Sequence, residues 1–246
     1  DIVRLWIVSL MEDGVAARSV NRKLSALKSF FKYLLKIGEV KNNPMKKVVG
    51  PKTKKPIPSF VNYSDMQKVL EDANFEDSFE SMRDHVMLEW FYVTGIRRAE
   101  LIGLKDQDVD LDVGSVKVTG KRNKQQIITI GDNMKVLLQN YIVIRDEEIG
   151  SRSGILFVRK NGEALYPMLV HRIVVGHLGW IATLSKASPH VLRHSFATGM
   201  LNNGADINAV KELLGHSSLA STEVYTHTSF EELKKIYNGA HPRAQK

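Results

Sequence analysis

Apolar residues recur at helical spacing over most of this chain and alternate in only two short places. Ile2, Leu5, Trp6 and Leu10 predict a helix over residues 2–12, and because the chain opens inside that pattern an upstream segment is expected. From Ala16 to Ile37, Val20, Leu24, Leu27, Phe30, Phe31 and Leu34 mark one face of a second helix, which Gly38 ends. Asn43-Pro44 and the run Lys46–Pro58, with three prolines and five lysines, predict an exposed linker. Beyond it, Tyr63-Ser64-Asp65 starts a helix and Asp84–Val93 predicts a buried one. A glycine break and a new helix follow at Thr94-Gly95-Ile96-Arg97-Arg98-Ala99-Glu100-Leu101. Val116–Val118 and Ile127–Ile130 alternate and flank the basic tip Thr119–Lys124, which predicts a hairpin. Leu137–Ile144 and Leu169–Leu184 read as helices and Ile155–Val158 as a short strand. The fold class expected is mainly α with a small antiparallel β-sheet. The division expected is 1–50, 51–60 as linker, and 61–246 with a tail at 229–246.

Charge sharpens that division. Residues 1–62 hold 13 Lys/Arg against 4 Asp/Glu, whereas residues 63–246 are nearly neutral, so almost all of the net +8 lies in the first quarter. Arg18, Arg22, Lys23, Lys28 and Lys32 fall largely on the non-apolar faces of the second helix, which suits a polyanion partner. The plainer reading is a soluble basic helix pair. No stretch approaches the roughly 18 apolar residues of a membrane span, and no signal-peptide pattern is present, so a soluble, cytoplasmic protein is expected. Zero cysteines exclude disulfides and thiolate metal sites.

The richest chemistry lies between Ser188 and His227, which contains half of the eight histidines. Ser188 and Pro189 fit the cap and first position of a helix. At about 100° per residue, His190, Arg193 and His194 share one arc beside an apolar stripe of Leu192, Phe196 and Met200. Asn203-Gly204 breaks this helix. Asp206 caps the next, whose core face is read as Ile207, Val210, Leu213 and Leu214, and Gly215 stops it. His216 follows that stop, and Tyr225 lies nine residues further on. Each residue alone has an ordinary explanation: a helix-end arginine, a solvated turn lysine, a half-buried tyrosine. The pair His190/His194 has zinc-ligand spacing, but the hydrolase pattern puts Glu directly after the first His, and Val191 stands there. Together, two arginines and a lysine suit a phosphate bearing extra negative charge, since guanidinium forks bind phosphoryl oxygens bidentately. A tyrosine nucleophile, with an ordinary pKa of about 10, would be helped to ionise by such cations.

These motifs, in this order, resemble the tyrosine site-specific recombinases of the phage-integrase family, most closely the Xer recombinases that resolve chromosome dimers. The matching segments are Thr94–Leu101, Gly120–Lys124, His190–Thr198, Leu213–Ser218 and Val224–His227, with Val20–Phe31 similar to the core-binding domain. One departure is Arg122, which stands where the family's hairpin has a second glycine. The resemblance implies a small N-terminal helical core-binding domain and a larger tyrosine-recombinase catalytic domain that together clamp double-stranded DNA. It implies catalytic roles for Arg97, Lys121, His190, Arg193, His216 and Tyr225, with Glu100 orienting the arginines. Arg18, Arg22, Lys23, Lys28, Arg122 and Lys124 are the DNA-binding candidates. A 3′-phosphotyrosyl link would conserve the phosphodiester energy, so the resemblance implies no cofactor and no metal. It also implies a tetramer on DNA joined through the C-terminal tail, a possible second recombinase or DNA translocase as partner, and no membrane. An inactive packing of Tyr225 and Ser229–Lys246 is expected in the DNA-free chain. The rivals are a type IB topoisomerase with the same chemistry, a catalytically idle DNA-binding protein on the same fold, and more distantly a metallohydrolase.

Overall fold

The computed structural model describes residues 2–53, 59–71, 75, 78–120, 125–150, 154–181, 184, 186–215 and 230–243, with the backbone alone over 230–233. The chain separates into two compact units, Asp1–Ile57 and Pro58–Lys246. Among the described residues the fold is mainly α with one small antiparallel sheet, as the periodicity predicts.

In the first unit, α1 (Ile2–Glu12) and α2 (Ala17–Lys36) pack against each other. Their core is Val20, Leu24, Met45 and Val48, with Val3, Trp6, Ile7 and Leu10 of α1 against it. The apolar stripe of α1 is therefore turned from the one expected, and Ile2 and Leu5 face outward at 84% and 69% exposure. The stretch after Pro44 is not simply exposed linker, because Met45 and Val48 anchor it to α2 and Asn21 Nδ2 donates to Pro51 O at 2.8 Å. Arg18, Arg22, Lys23 and Lys28 are all exposed on α2.

The second unit is built around α4 (Phe79–Thr94), buried almost throughout its second half because it packs against both α6 (Asp132–Ile149) and α8 (Pro189–Asn202). It starts earlier than Asp84 because Ser78 caps it, its side chain accepting from Ser81 N. Around this axis lie α3 (Tyr63–Glu71), α5 (Arg98–Ile102), α7 (Pro167–Leu178), α9 (Ile207–Leu213) and α10 (Phe230–Ala240). The strands β1 (Val109–Asp110), β2 (Ser115–Thr119) and β3 (Gln125–Thr129) form one antiparallel sheet in that order. In the β2–β3 register Val116 faces Ile128 and Val118 faces Gln126. Val116, Val118 and Ile128 are buried while Lys117 and Ile127 are exposed, the alternation of a half-buried sheet. The hairpin tip 121–124 lies outside the described residues.

Four expectations need correction. Ile155–Val158 is not a strand of the sheet and makes only the isolated bridges Lys105–Ile155 and Val158–Ala164. Two of its carbonyls are taken by side chains instead: Arg145 Nη1 donates to Ile155 O at 3.0 Å, and Tyr141 Oη and Arg145 Nη1 donate to Leu156 O at 3.0 and 3.1 Å. The helix expected over Leu169–Leu184 is shorter, ending at Leu178 before Gly179. Ser188 precedes α8 but makes no side-chain cap, so Pro189 in the first turn sets the helix start. Ile207 is 53% exposed, and Val210, Leu213 and Leu214 alone of its expected set face the core.

The C-terminal helix α10 packs on α8 and α9 of its own chain, where Tyr237 and Ala240 join Phe196, Met200, Val210, Leu213 and Leu214. His241, 3% exposed, then lies between the rings of Phe196 and Tyr237, with centroids 5.5 and 5.2 Å away. Burial holds its pKa down at about 4, so the ring is neutral at pH 7. A single tautomer fits both of its bonds: Nε2–H donates to Tyr92 O, and Nδ1 accepts from Arg243 N. Arg243 Nε pairs with Glu89 Oε1 at 2.7 Å, and Glu89 is buried with its Oε2 accepting no hydrogen bond from the described residues.

This pair predicts an asymmetry. Arg243→Ala strands a buried carboxylate, costing about 3 kcal/mol and lowering Tm by about 6–12 °C, whereas Glu89→Gln costs clearly less because Arg243 can turn toward water. Burial already raises the Glu89 pKa, and loss of Arg243 raises it further. The Arg243→Ala deficit is therefore largest at alkaline pH and narrows as the pH falls and the carboxyl takes up its proton. Thermal melts of both variants against the parent chain at several pH values check this.

Candidate active site

The local sequence around Gly95 explains how Arg97 is placed. Thr94 Oγ1 donates to Trp90 O at 2.6 Å and accepts from Ile96 N, turning the chain sharply at the end of α4. Gly95 sits at φ +61°, and a Cβ there would lie 2.8 Å from both Phe196 Cδ1 and Leu214 Cδ2, so glycine alone fits. Arg97 then forms the N-cap of α5. Glu100 holds it at both ends, since Arg97 N donates to Glu100 Oε2 at 2.9 Å and Arg97 Nη1 to Glu100 Oε1 at 2.7 Å. The Arg97 side chain remains 34% exposed.

Arg193 arrives from α8. Leu192, Phe196 and Met200 are buried as their spacing predicts, each contributing about 1.5–3 kcal/mol of burial, and this fixes the helix azimuth. Ser195 adds a polar anchor by accepting from Val61 N at 2.7 Å. The adjoining arc carries Arg193 inward, where Nη1 donates to Gly95 O at 2.5 Å and Nη2 to Leu214 O at 2.6 Å. These carbonyls are the C-caps of α4 and α9, the negative ends of both helices, so a cation is favoured there. Burial first, and then the like charge of Arg97, hold the Arg193 pKa down at about 10, while Glu100 pulls the other way. Arg193 is still protonated at neutral pH. Two guanidinium groups with one carboxylate between them make a local excess of positive charge suited to an anion.

The turn that closes α9 is the third component. Asp206 caps α9 as expected, accepting from Asn208 N at 2.7 Å and from Ala209 N. Gly215 at φ +63° ends the helix, and a Cβ on it would collide with Gln126 Oε1 and lie 3.8 Å from Arg97 Nη1. Gln126 Nε2 donates to Leu213 O at 2.6 Å, so β3 also reaches this turn. Sequence reading missed Gln126, although the signal was present. The alternation Gln126, Ile128, Ile130 puts an amide on the inner face of a strand otherwise apolar there.

The structure thus brings Arg97, Glu100 and Arg193 together around Gly95 and Gly215. His190 is exposed in the first turn of α8, and His194 is half-buried on the same helix. Lys121, Arg122, Lys124, His216 and Tyr225 lie outside the described residues.

Residues 60–232 match the phage integrase family, and residues 1–38 match the phage integrase N-terminal SAM-like domain. The chain belongs to the phage integrase family. It is 40% identical over 263 aligned positions to the tyrosine recombinase XerC of Chlorobaculum parvum, an alignment covering 98% of this chain and 78% of that one. It is 38% identical over 254 positions to the tyrosine recombinase XerC of Psychromonas ingrahamii, covering 100% and 81%. Among solved structures, it is similar to the XerH site-specific recombinase bound to difH substrate in a pre-cleavage complex. The TM-score there is 0.69 at 25% identity, over 92% of this chain and 67% of that one. A second similarity is to the XerA recombinase, with a TM-score of 0.58 at 26% identity, over 99% and 83%. As a phage-integrase-family member with these relatives, the chain is an Xer-like, site-specific DNA recombinase.

The Arg193 fork in this recombinase gives a direct test. Arg193→Lys keeps the charge but offers a point donor that cannot reach both Gly95 O and Leu214 O. Leaving one of those carbonyls short costs about 2 kcal/mol, expected as a Tm lower by about 4–8 °C in a thermal melt without DNA.

Proposed function

We propose that this recombinase cuts and rejoins DNA through a 3′-phosphotyrosyl intermediate formed by Tyr225 and a Holliday junction, in an Xer-type role of chromosome dimer resolution. The observation that carries the reading is the convergence of Arg97 and Arg193, from α5 and α8, on the turn that leads into His216. In the proposed step the Tyr225 phenolic oxygen attacks the scissile phosphorus. A phosphotyrosine P–O bond forms and the bond to the 5′-oxygen breaks. The phenolic proton passes to His190, and Lys121 supplies a proton to the leaving 5′-oxygen. Arg97 and Arg193 clamp the non-bridging oxygens, where charge builds in the crowded transition state, and His216 donates to the same phosphate. Glu100 keeps Arg97 in register through both of its bonds. No ATP, cofactor or metal enters these steps, because the phosphotyrosine retains the energy of the broken bond.

Double-stranded DNA is the substrate in this reading. Residues 1–50 serve as the core-binding domain, residues 51–60 as linker and residues 61–246 as the catalytic domain. Arg18, Arg22, Lys23 and Lys28, exposed on α2, meet the phosphates, joined by Arg122 and Lys124 of the hairpin tip. The site of action is the cytoplasm. The active form is a tetramer on DNA, in which the tail 229–246 exchanges its docking on its own chain for a neighbour's. A second recombinase or a DNA translocase is compatible with the same chemistry.

A nicked suicide duplex carrying an Xer-type recombination site tests the reading. The parent chain is expected to give a covalent protein–DNA band on a denaturing gel, and Tyr225→Phe and Arg97→Ala none. Junction formation with a second duplex separates the recombinase from a topoisomerase. Binding is expected to weaken by about tenfold or more between about 50 and 200 mM salt, since it rests on phosphate contacts. Retention of the band in Tyr225→Phe would sink the assignment of the nucleophile.

A further inference from the structure

Gln126 is a polar residue in an apolar place. It faces Val118 across the β2–β3 ladder, on the face that also presents Val116 and Ile128, both buried. Such a position ordinarily carries an aliphatic side chain, because an amide taken from water needs compensating hydrogen bonds. Here the amide crosses to another element. Gln126 Nε2 donates at 2.6 Å to Leu213 O, 87 residues away in sequence, at the C-terminus of α9.

The carbonyls at that helix end have no intrahelical partners. Two successive ones are claimed by side chains: Leu213 O by Gln126 and Leu214 O by Arg193, each at 2.6 Å. The next residue, Gly215, leaves the space that Gln126 Oε1 occupies, and Arg97 Nη1 is 3.8 Å from where its Cβ would stand. Gln126 therefore touches the turn at its Leu213 and Gly215 ends, while Arg193 holds it in the middle. The two chain directions leaving this contact both run to proposed reacting groups. His216 directly follows Gly215, and Lys121 lies five residues before Gln126 on the hairpin.

We infer that Gln126 is a positioning residue for strand cleavage, clamping β3 to the Leu213–Gly215 turn so that the hairpin and the segment after Gly215 keep register with Arg97 and Arg193. The inference rests on the proposed function above. In this inference Gln126 needs no contact with the phosphate or the nucleophile. It acts by fixing the distance between two elements, and catalytic geometry is sensitive to displacements of an ångström or less.

The experiment uses the full chain and the same nicked duplex, with single-turnover covalent-band formation read separately from DNA affinity. Gln126→Met keeps length and apolar fit but removes the donor. The band is expected to form about ten- to a hundredfold more slowly, with Kd for the intact duplex changed by less than about twofold and Tm lower by no more than about 8 °C. Gln126→Glu is the companion variant. An ionised carboxylate cannot donate to Leu213 O but a protonated one can, so its rate relative to the parent should rise as the pH falls toward the carboxyl range. A Gln126→Met chain that cleaves at the parent rate, or whose loss lies wholly in Kd, overturns the inference. Should Gln126→Met fail to fold, a pH-independent rate ratio for Gln126→Glu overturns it instead. If the parent chain itself forms no covalent band, the functional reading falls first and this inference with it.

Discussion

The arrangement of the site depends on one half-buried cation and what it is bonded to. Arg193 is taken largely out of water and set near a second guanidinium, two costs that depress its pKa to about 10. Both are offset by the carbonyls of Gly95 and Leu214, one from the end of α4 and one from the end of α9. Helix C-termini carry partial negative charge and unfilled acceptors, so the guanidinium completes two helix ends while they hold its plane. A fork is needed for this, because a lysine ammonium could not address two acceptors with fixed geometry. The same bonds make α4, α8 and α9 a single unit around the cation.

Arg97 is held by the opposite logic. It caps the start of α5, where the helix end favours negative charge, and its side chain is 34% exposed. Glu100, three residues on, offsets this by accepting from the Arg97 backbone and side chain together. One carboxylate against two guanidinium groups leaves net positive charge at this site. That excess is what a phosphate with developing charge would neutralise, and it is present before any substrate arrives.

Much of this was legible in the residues, and the misses share a cause. The α8 stripe of Leu192, Phe196 and Met200 was readable because a helix buried along one side must repeat at that spacing, and Arg193 beside it followed from the geometry of the turn. Gly95 and Gly215 read as helix stops, and both take positive φ. What periodicity could not show was who satisfies whom across the fold. Ile155–Val158 has the composition of a strand, but Tyr141 and Arg145 take the carbonyls of Ile155 and Leu156 that a ladder would use. Ile2, Leu5 and Ile207 fit apolar stripes yet face outward, the first two because α1 turns Val3, Trp6, Ile7 and Leu10 to the core. Gln126 stood on an inner face with nothing in its neighbourhood to say that its partner was 87 residues away. Lys121, His216 and Tyr225 were legible only through their motifs.

The helix α10 and the arginine site share a wall. Phe196 stacks on His241 beside the tail helix, while its Cδ1 would be 2.8 Å from any Cβ on Gly95. The carbonyl of that same Gly95 receives Arg193. Leu214 is placed likewise, packing with Tyr237 and Ala240 through its side chain and accepting from Arg193 through its oxygen. A close-packed interior does not let one face of a ring move without the other. Phe196 and Leu214 therefore touch the docked α10 on one side and the backbone that holds Arg193 on the other. If the tail leaves this groove, either another α10 must fill it with the same residues, or the wall behind Gly95 must relax and the fork of Arg193 with it.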